Sequence, residues 1–269
     1  MRRTVFLLIF ISIIFAQTEV HLNEWAYLGI PDPATVILWS GIVSSIAIVI
    51  SLMIINQATD IWKKILFVII ALPIAFATLY LAGTTVYLNT VSETGGPVHW
   101  HADYEIWACG ERINVLDPAG FDNKIGAPLI HEHNDDRIHV EGVVYRKIEH
   151  ASLARFFHEI GGKLDATEII VSTNDGIKTW KNGELCNGRK GELQVFVYSV
   201  TNPQNTGHFE YTQRKIKDFE NFVLAPYSNV PPGDCIVIEF GVVKQKTEHI
   251  CSTYKIEEEK GQMVNNDGS

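Results

Sequence analysis

The chain has 269 residues, with 22 basic and 31 acidic side chains and a formal net charge of −9. Residues 1–88 are balanced, Arg2, Arg3, Lys63 and Lys64 standing against Glu19, Glu24, Asp32 and Asp60, so the negative charge belongs to the remainder. An acidic region of this kind argues against nucleic acid as a partner and is compatible with cation binding.

Residues 4–16 are apolar and follow Arg2 and Arg3. The run is short of the ~20 residues a spanning helix needs. A charged start before a short apolar core has the form of a signal peptide. Ala16 suits the last position before a cleavage site, but Ile14 is too large for the third-last, so residues 1–33 read as a cleaved signal or an uncleaved signal anchor followed by a short external segment. Residues 34–55 and 65–88 carry no charge, and each is long enough to cross a bilayer. Separated only by 56–64, they predict a transmembrane helical hairpin, with Pro73 as a possible kink that a membrane helix tolerates. The connecting loop holds Lys63 and Lys64 against Asp60, whereas 17–33 carries acidic charge only. The positive-inside rule puts that loop in the cytoplasm and residues 89–269 outside. The expectation is therefore a multi-pass cell-membrane protein, in contact with lipid through two or three helices, whose C-terminal domain is extracytoplasmic. A pair of uncharged helices argues against a transport path, which needs polar groups within the membrane.

Residues 89–97, Asn-Thr-Val-Ser-Glu-Thr-Gly-Gly-Pro, read as a linker to a domain spanning 98–256. In 98–108, Trp100, Ala102, Tyr104 and Ile106 alternate with His99, His101, Asp103 and Glu105, the period-two signature of a half-buried strand. A short strand follows near 112–116, then an irregular stretch, 117–130, with Pro118, Gly120, Gly126 and Pro128. Next come His131-Glu132-His133, a turn at Asn134-Asp135-Asp136, and a strand over 137–146 in which Ile138 and Val140 alternate with His139 and Glu141. Residues 151–162 predict a helix with Ser152 as N-cap and Gly161 as its stop. Strands are expected near 168–172, over 192–201 and 234–243, and near 247–254. Residues 173–191 are turn-rich, 202–221 a polar insertion, and 257–269 a disordered acidic tail.

The histidines carry the strongest chemical signal. Residues i and i+2 of a strand share a face, so His99-Trp100-His101 and His131-Glu132-His133 each set two imidazoles side by side. Brought together with His139, they would offer up to five nitrogens to a transition metal, Zn or Cu(II) best suiting neutral imidazoles. Asp103, Glu105, Asp135, Asp136 and Glu141 are the auxiliary candidates, as further ligands or as acceptors that fix the imidazole tautomers. The opposing reading is a row of hydrogen-bonded histidines on a polar sheet face. His21, His150, His158, His208 and His249 stand alone and read as structural or surface residues.

Cys109, Cys186, Cys235 and Cys251 all fall in the external part, where an even count suggests disulfides. Of three possible connectivities, the turn-like settings of Cys109 and Cys186 favour joining those two, and the strand-like settings of Cys235 and Cys251 favour a bridge between neighbours. The order of strands around one helix suggests an α+β domain with a mixed, β-grasp-like sheet behind the membrane helices.

Residues 98–164 resemble an uncharacterised prokaryotic family of extracytoplasmic domains. The likeness rests on His99-Trp-His101-Ala102, His131-Glu-His133-Asn134, Ile138-His139-Val-Glu141 and Leu153-Ala-Arg-Phe156-Phe157-His-Glu-Ile-Gly161, and it implies a metal-binding domain without an assigned activity. His99-x-His101, followed after three intervening residues by Glu105, is also similar to the first cupin motif, which would make Glu105 a ligand, although Gly110 follows too soon and no second motif is visible. Three function classes stay open: a membrane-anchored domain that captures, delivers or senses a metal; a metalloenzyme using the same histidines with Glu105 or Glu141 as base; and a disulfide-stabilised interaction domain, with a membrane or cell-surface protein as partner and no metal.

Overall fold

The computed structural model describes residues 25, 28–121, 123–205, 207–224 and 233–266. The signal-like run at 4–16 lies outside the described residues.

Two helices lead. Helix α1, Pro33–Ile54, begins where the Asp32 carboxylate accepts the Ala34 amide, with proline in the first turn. Helix α2, Asp60–Thr90, extends beyond the uncharged run at both ends and passes through Pro73 without stopping. The helices touch each other, Ser44 Oγ donating to the Ile70 carbonyl at 3.2 Å. Leu38, Trp39, Leu52, Phe67, Leu72 and Leu79 nevertheless stay exposed. Both helices are long and apolar enough to cross a membrane, and little of either apolar stretch is buried within the described residues.

A single residue, Val91, separates α2 from strand β1, Ser92–Ala108. The expected linker at 89–97 is therefore corrected: 89–90 finish the helix and 92–97 begin the strand. Gly95 and Gly96, with φ of 72° and 151°, form an irregularity between Ser92 and Pro97, where the Ser92 hydroxyl accepts the Gly96 amide at 3.1 Å. The turn-like composition is absorbed inside a paired strand.

The following elements are β2 (Glu111–Ile113), β3 (Ile125–Gly126), β4 (Ile130–Glu132), β5 (Arg137–Tyr145), a 3-10 turn at Ile148–Ala151 and helix α3 (Leu153–Glu159). Then come β6 (Lys163–Leu164), β7 (Glu168–Thr173), β8 (Gly176–Lys181), β9 (Leu185–Cys186) and β10 (Arg189–Lys190). β11 (Glu192–Val200), β12 (Phe209–Ile216), β13 (Asp234–Gly241), helix α4 (Ser252–Glu259) and β14 (Met263–Asn265) complete the described chain. The main sheet runs β14-β12-β11-β13-β1-β5-β4-β3, with β2 also on β1. Its β1–β13 and β12–β14 pairs are parallel and its other pairs antiparallel, so the fold is α+β with a mixed sheet.

One sheet face packs Trp100, Ala102, Tyr104 and Ile106 against Leu153, Phe156 and Phe157 of α3 and against Leu164, Ile169 and Val171 of the small β6-β7-β8 sheet. Ser152 caps α3, its hydroxyl accepting the Arg155 amide. Among the described residues, the opposite face is covered at the β12-β11-β13 end by Tyr254 of α4 and by Met263, which join Phe196, Tyr198, Tyr211 and Val237. β13, central and covered on both faces, is buried along its whole length, as continuous apolar strands require. The first part of β1, with β5 and β4, carries the histidines on that second face.

Three further expectations are corrected. The strand near 247–254 is a loop leading into α4, because Gln213 and Tyr198 take up its backbone: the Gln213 amide side chain pairs with Thr247 and Tyr198 Oη donates to the His249 carbonyl at 2.7 Å. The polar insertion at 202–221 contains β12, whose Tyr211 side chain is buried in the second core. The tail from 257 is ordered through 266, since Met263 docks in that core and Tyr211 Oη donates to Glu258 at 2.6 Å. Disulfides join Cys109 at the end of β1 to Cys186 in β9, and Cys235 in β13 to Cys251 at the start of α4.

Candidate metal centre

Three adjacent strands build the site. β5 lies between β1 and β4, with His101 opposite His139, His99 opposite Glu141, and His131 opposite His139. Period-two alternation sends Trp100, Ala102, Ile138, Val140 and Ile130 into the core and sends the histidines to the second face. His133 follows at the end of β4.

The five imidazoles form one continuous array. Ring centroids are 4.5 Å apart for His99 and His101, 4.6 Å for His101 and His139, 4.9 Å for His133 and His139, and 4.8 Å for His131 and His133. Their donors fall into two groups, His131 with His133 and His139, and His99 with His101 and Glu141; within each group every ligand atom lies within 4.8 Å of the others.

Hydrogen bonds fix two tautomers. His133 Nδ1–H donates to the Asn123 carbonyl at 2.7 Å, which leaves Nε2 with its lone pair. His139 Nε2–H donates to Asp135 Oδ2 at 3.1 Å, which leaves Nδ1 buried and unpartnered. A histidine whose second nitrogen is held by a carboxylate or a carbonyl has the arrangement usual for metal ligands. Asp135 is held in turn by the Glu132 carboxylate, which accepts the Asp135 amide at 3.1 Å. Burial pushes the Asp135 carboxyl up, but its bond to His139 and the nearby Arg137 outweigh this and leave it below its ordinary value.

His131 is the deepest member. Its side chain is 1% exposed, and neither ring nitrogen has a hydrogen-bond partner among the described residues. Burial, then the Lys124 charge, lower its pKa to about 4 against the opposing pull of Glu141. Burial and the neighbouring His139, His99 and Arg137 likewise take His101 to about 4. Both rings are therefore neutral and ready to ligate at ordinary pH.

The auxiliary carboxylates divide. Asp135 and Glu141 belong to the array. Asp103, Glu105 and Asp136 are engaged elsewhere: Asp103 takes Arg137 at 2.7 Å, Glu105 takes Trp107 Nε1 at 2.8 Å, and Asp136 takes Arg112 at 2.7 Å. Glu105 thus does not sit where a cupin pattern would need it as a ligand. The lone histidines also have other work, His249 stacking on Trp107 and His150 Nδ1–H donating to the Tyr145 carbonyl.

Asn123 and Gly126 were not legible as site residues. Gly126 pairs with His131 at φ 116°, and a Cβ there would lie 2.8 Å from the Ile130 carbonyl and 2.9 Å from His131 Cα. The only sequence signal was an isolated glycine in an irregular stretch.

Comparison with protein-family models, curated proteins and solved structures finds no match for this chain.

Proposed function

We propose that the chain is a membrane-anchored, extracytoplasmic metal-binding protein whose histidine face captures, delivers or senses a transition metal. The observation that carries this reading is His131. A buried polar atom without a partner costs about 1–3 kcal/mol, and His131 has two such atoms. A metal ion would meet them, whereas a merely polar sheet face leaves them unexplained. The preset tautomers of His133 and His139 point the same way.

Neutral imidazoles with a carboxylate suit Zn or Cu(II). Met263 lies in β14, at the far edge of the sheet from β4, and Met53 in α1, so among the described residues no strand of the site brings a thioether to favour Cu(I). The extracytoplasmic placement is supported by the two disulfides and by Lys63 and Lys64 near the start of α2, at the hairpin's turn. The helical hairpin would anchor the domain in lipid, and a membrane or cell-surface protein is the kind of partner that would exchange the ion.

The test is elemental analysis of the full chain purified in detergent, beside a variant with His99, His101, His131 and His133 changed to Ala. Bound transition metal in the first and none in the second is the expected result. No metal in either, with no uptake of Zn or Cu(II) on titration, would overturn the proposal in favour of an interaction domain.

A further inference from the structure

We propose that the histidine face holds two metal ions bridged by the Glu141 carboxylate, an enclosed inner ion and an exchangeable outer one. This rests on the metal-binding reading above and goes beyond it.

Five imidazoles and a carboxylate exceed what a four-coordinate ion accepts. They are also spread across three strands spaced ~4.8 Å apart, with His99 and His101 on one side of β5 and His131 and His133 on the other. β5 itself contributes His139 to one group and Glu141 to the other.

Glu141 stands between the groups. Its Oε1 is 3.5 Å from His99 Nε2 and 3.8 Å from His139 Nδ1, and its Oε2 is 3.8 Å from His131 Nε2. These separations are too long for hydrogen bonds, which run ~2.7–3.2 Å. They are close to the spacing of two atoms on one tetrahedral ion, about 3.3 Å for bonds of ~2.0–2.1 Å. Oε1 therefore sits near a co-ligand's distance from imidazoles of both groups, and Oε2 near that distance from His131 of the inner group. Two cations ~3.5–4 Å apart need an anionic bridge, and Glu141 is the carboxylate within reach of both.

The two positions differ. The inner one would have His131, His133 and His139 with a Glu141 oxygen, a closed four-ligand set around a fully buried imidazole. The outer one would have His99, His101 and the other Glu141 oxygen. His99 is 64% exposed, so a fourth ligand there comes from solvent or from an exchange partner. A closed set retains its ion and an open one trades it. The outer ion is accordingly the one taken up and passed on.

The experiment is Zn2+ titration of the full chain in detergent after chelator stripping, with elemental analysis after desalting. Two Zn2+ per chain in two steps are expected. His99→Ala with His101→Ala removes the weaker step and keeps the stronger. Glu141→Gln removes the weaker step and weakens the stronger by roughly 10–100-fold, the usual effect of losing a supporting carboxylate. Co2+ loading reads the bridge without relying on a variant's folding, since a carboxylate-bridged pair is magnetically coupled. One Zn2+ per chain, with all five histidines affecting the same step, would overturn the two-ion centre and leave metal binding intact. Uncoupled Co2+ ions would overturn the bridge. No Zn2+, Co2+ or Cu(II) bound at all would overturn the metal reading itself.

Discussion

His131 and His139 face each other in direct register across β4 and β5, their rings 8° from parallel and their centroids 5.5 Å apart. Both carry a buried nitrogen that nothing in the described protein satisfies. Two adjacent imidazoles in this state are a local cost to the metal-free fold. His131→Phe, which keeps the ring and removes both nitrogens, should therefore stabilise the metal-free protein by about 1 kcal/mol while removing the tighter, inner Zn2+ step. Urea unfolding in the presence of a chelator, paired with a Zn2+ titration, measures both effects. A destabilised variant that keeps the tighter step would contradict the role given to His131.

The same burial sets a pH dependence. His101 and His131 are held at about 4 in the fold, against ~6.5 in an unfolded chain. Between those values the unfolded state binds more protons, so stability of the metal-free protein rises with pH across that window. It should be fully present above about pH 6.5 and fall progressively as pH drops toward 4. Unfolding midpoints of the stripped protein from pH 4 to 8 check this, and the slope should flatten when both residues are replaced by Phe.

Gly126 offers a test of how tightly the site is built. Alanine there meets a left-handed φ and the backbone of Ile130 and His131 at once. Gly126→Ala should cost at least about 1–2 kcal/mol and weaken the inner metal position more than the outer, because the displaced residue is His131. Equal loss of both Zn2+ steps would argue against that localisation.

The auxiliary carboxylates separate by mutation. Asp103 is buried beneath α4 and tied to Arg137, with burial pushing its carboxyl up against that bond. Arg137→Ala leaves this carboxylate without its partner and should destabilise the fold by about 3–5 kcal/mol. Asp103→Asn should leave the metal content of the folded protein unchanged. Asp135→Asn should instead weaken metal binding, because it disturbs the tautomer of His139.

Removing the Cys109–Cys186 bridge, which closes a segment 77 residues long, should cost about 2–4 kcal/mol. The histidines stand on strands paired independently of it, so metal stoichiometry should persist wherever the variant stays folded. Thermal unfolding and elemental analysis of Cys109→Ala with Cys186→Ala read the two quantities separately.

How much of this was legible follows from which interactions are local. The alternation through Trp100, Ala102 and Tyr104 gave the strand and its two faces, and Ser152 gave the start of α3. The His-x-His spacing placed each pair of imidazoles on one face. What alternation could not supply was coverage. His99, His101, Asp103 and Glu105 share one face of β1, yet α4 and the loop before it, distant in sequence, cover only the last two. The same gap explains the tail, whose Met263 is buried in the second core beside β12, an element distant in sequence. Glu141 stood out from the other carboxylates only through its register with His99.

The one-residue joint at Val91 has a mechanical meaning. Leu88 and Tyr87 of α2 pack on the domain core, Tyr87 Oη accepts from Arg146 at 2.9 Å, and the Arg146 amide donates to the Val91 carbonyl. The domain is thus bolted to its helix and does not swing from it. Nine residue steps at ~3.3 Å each set His99 at most about 30 Å from Thr90, the last residue of the helix. With α2 in a bilayer, as proposed above, an ion held by His99 would keep a nearly fixed height above the lipid, and any protein that exchanged it would have to present its own site at that height.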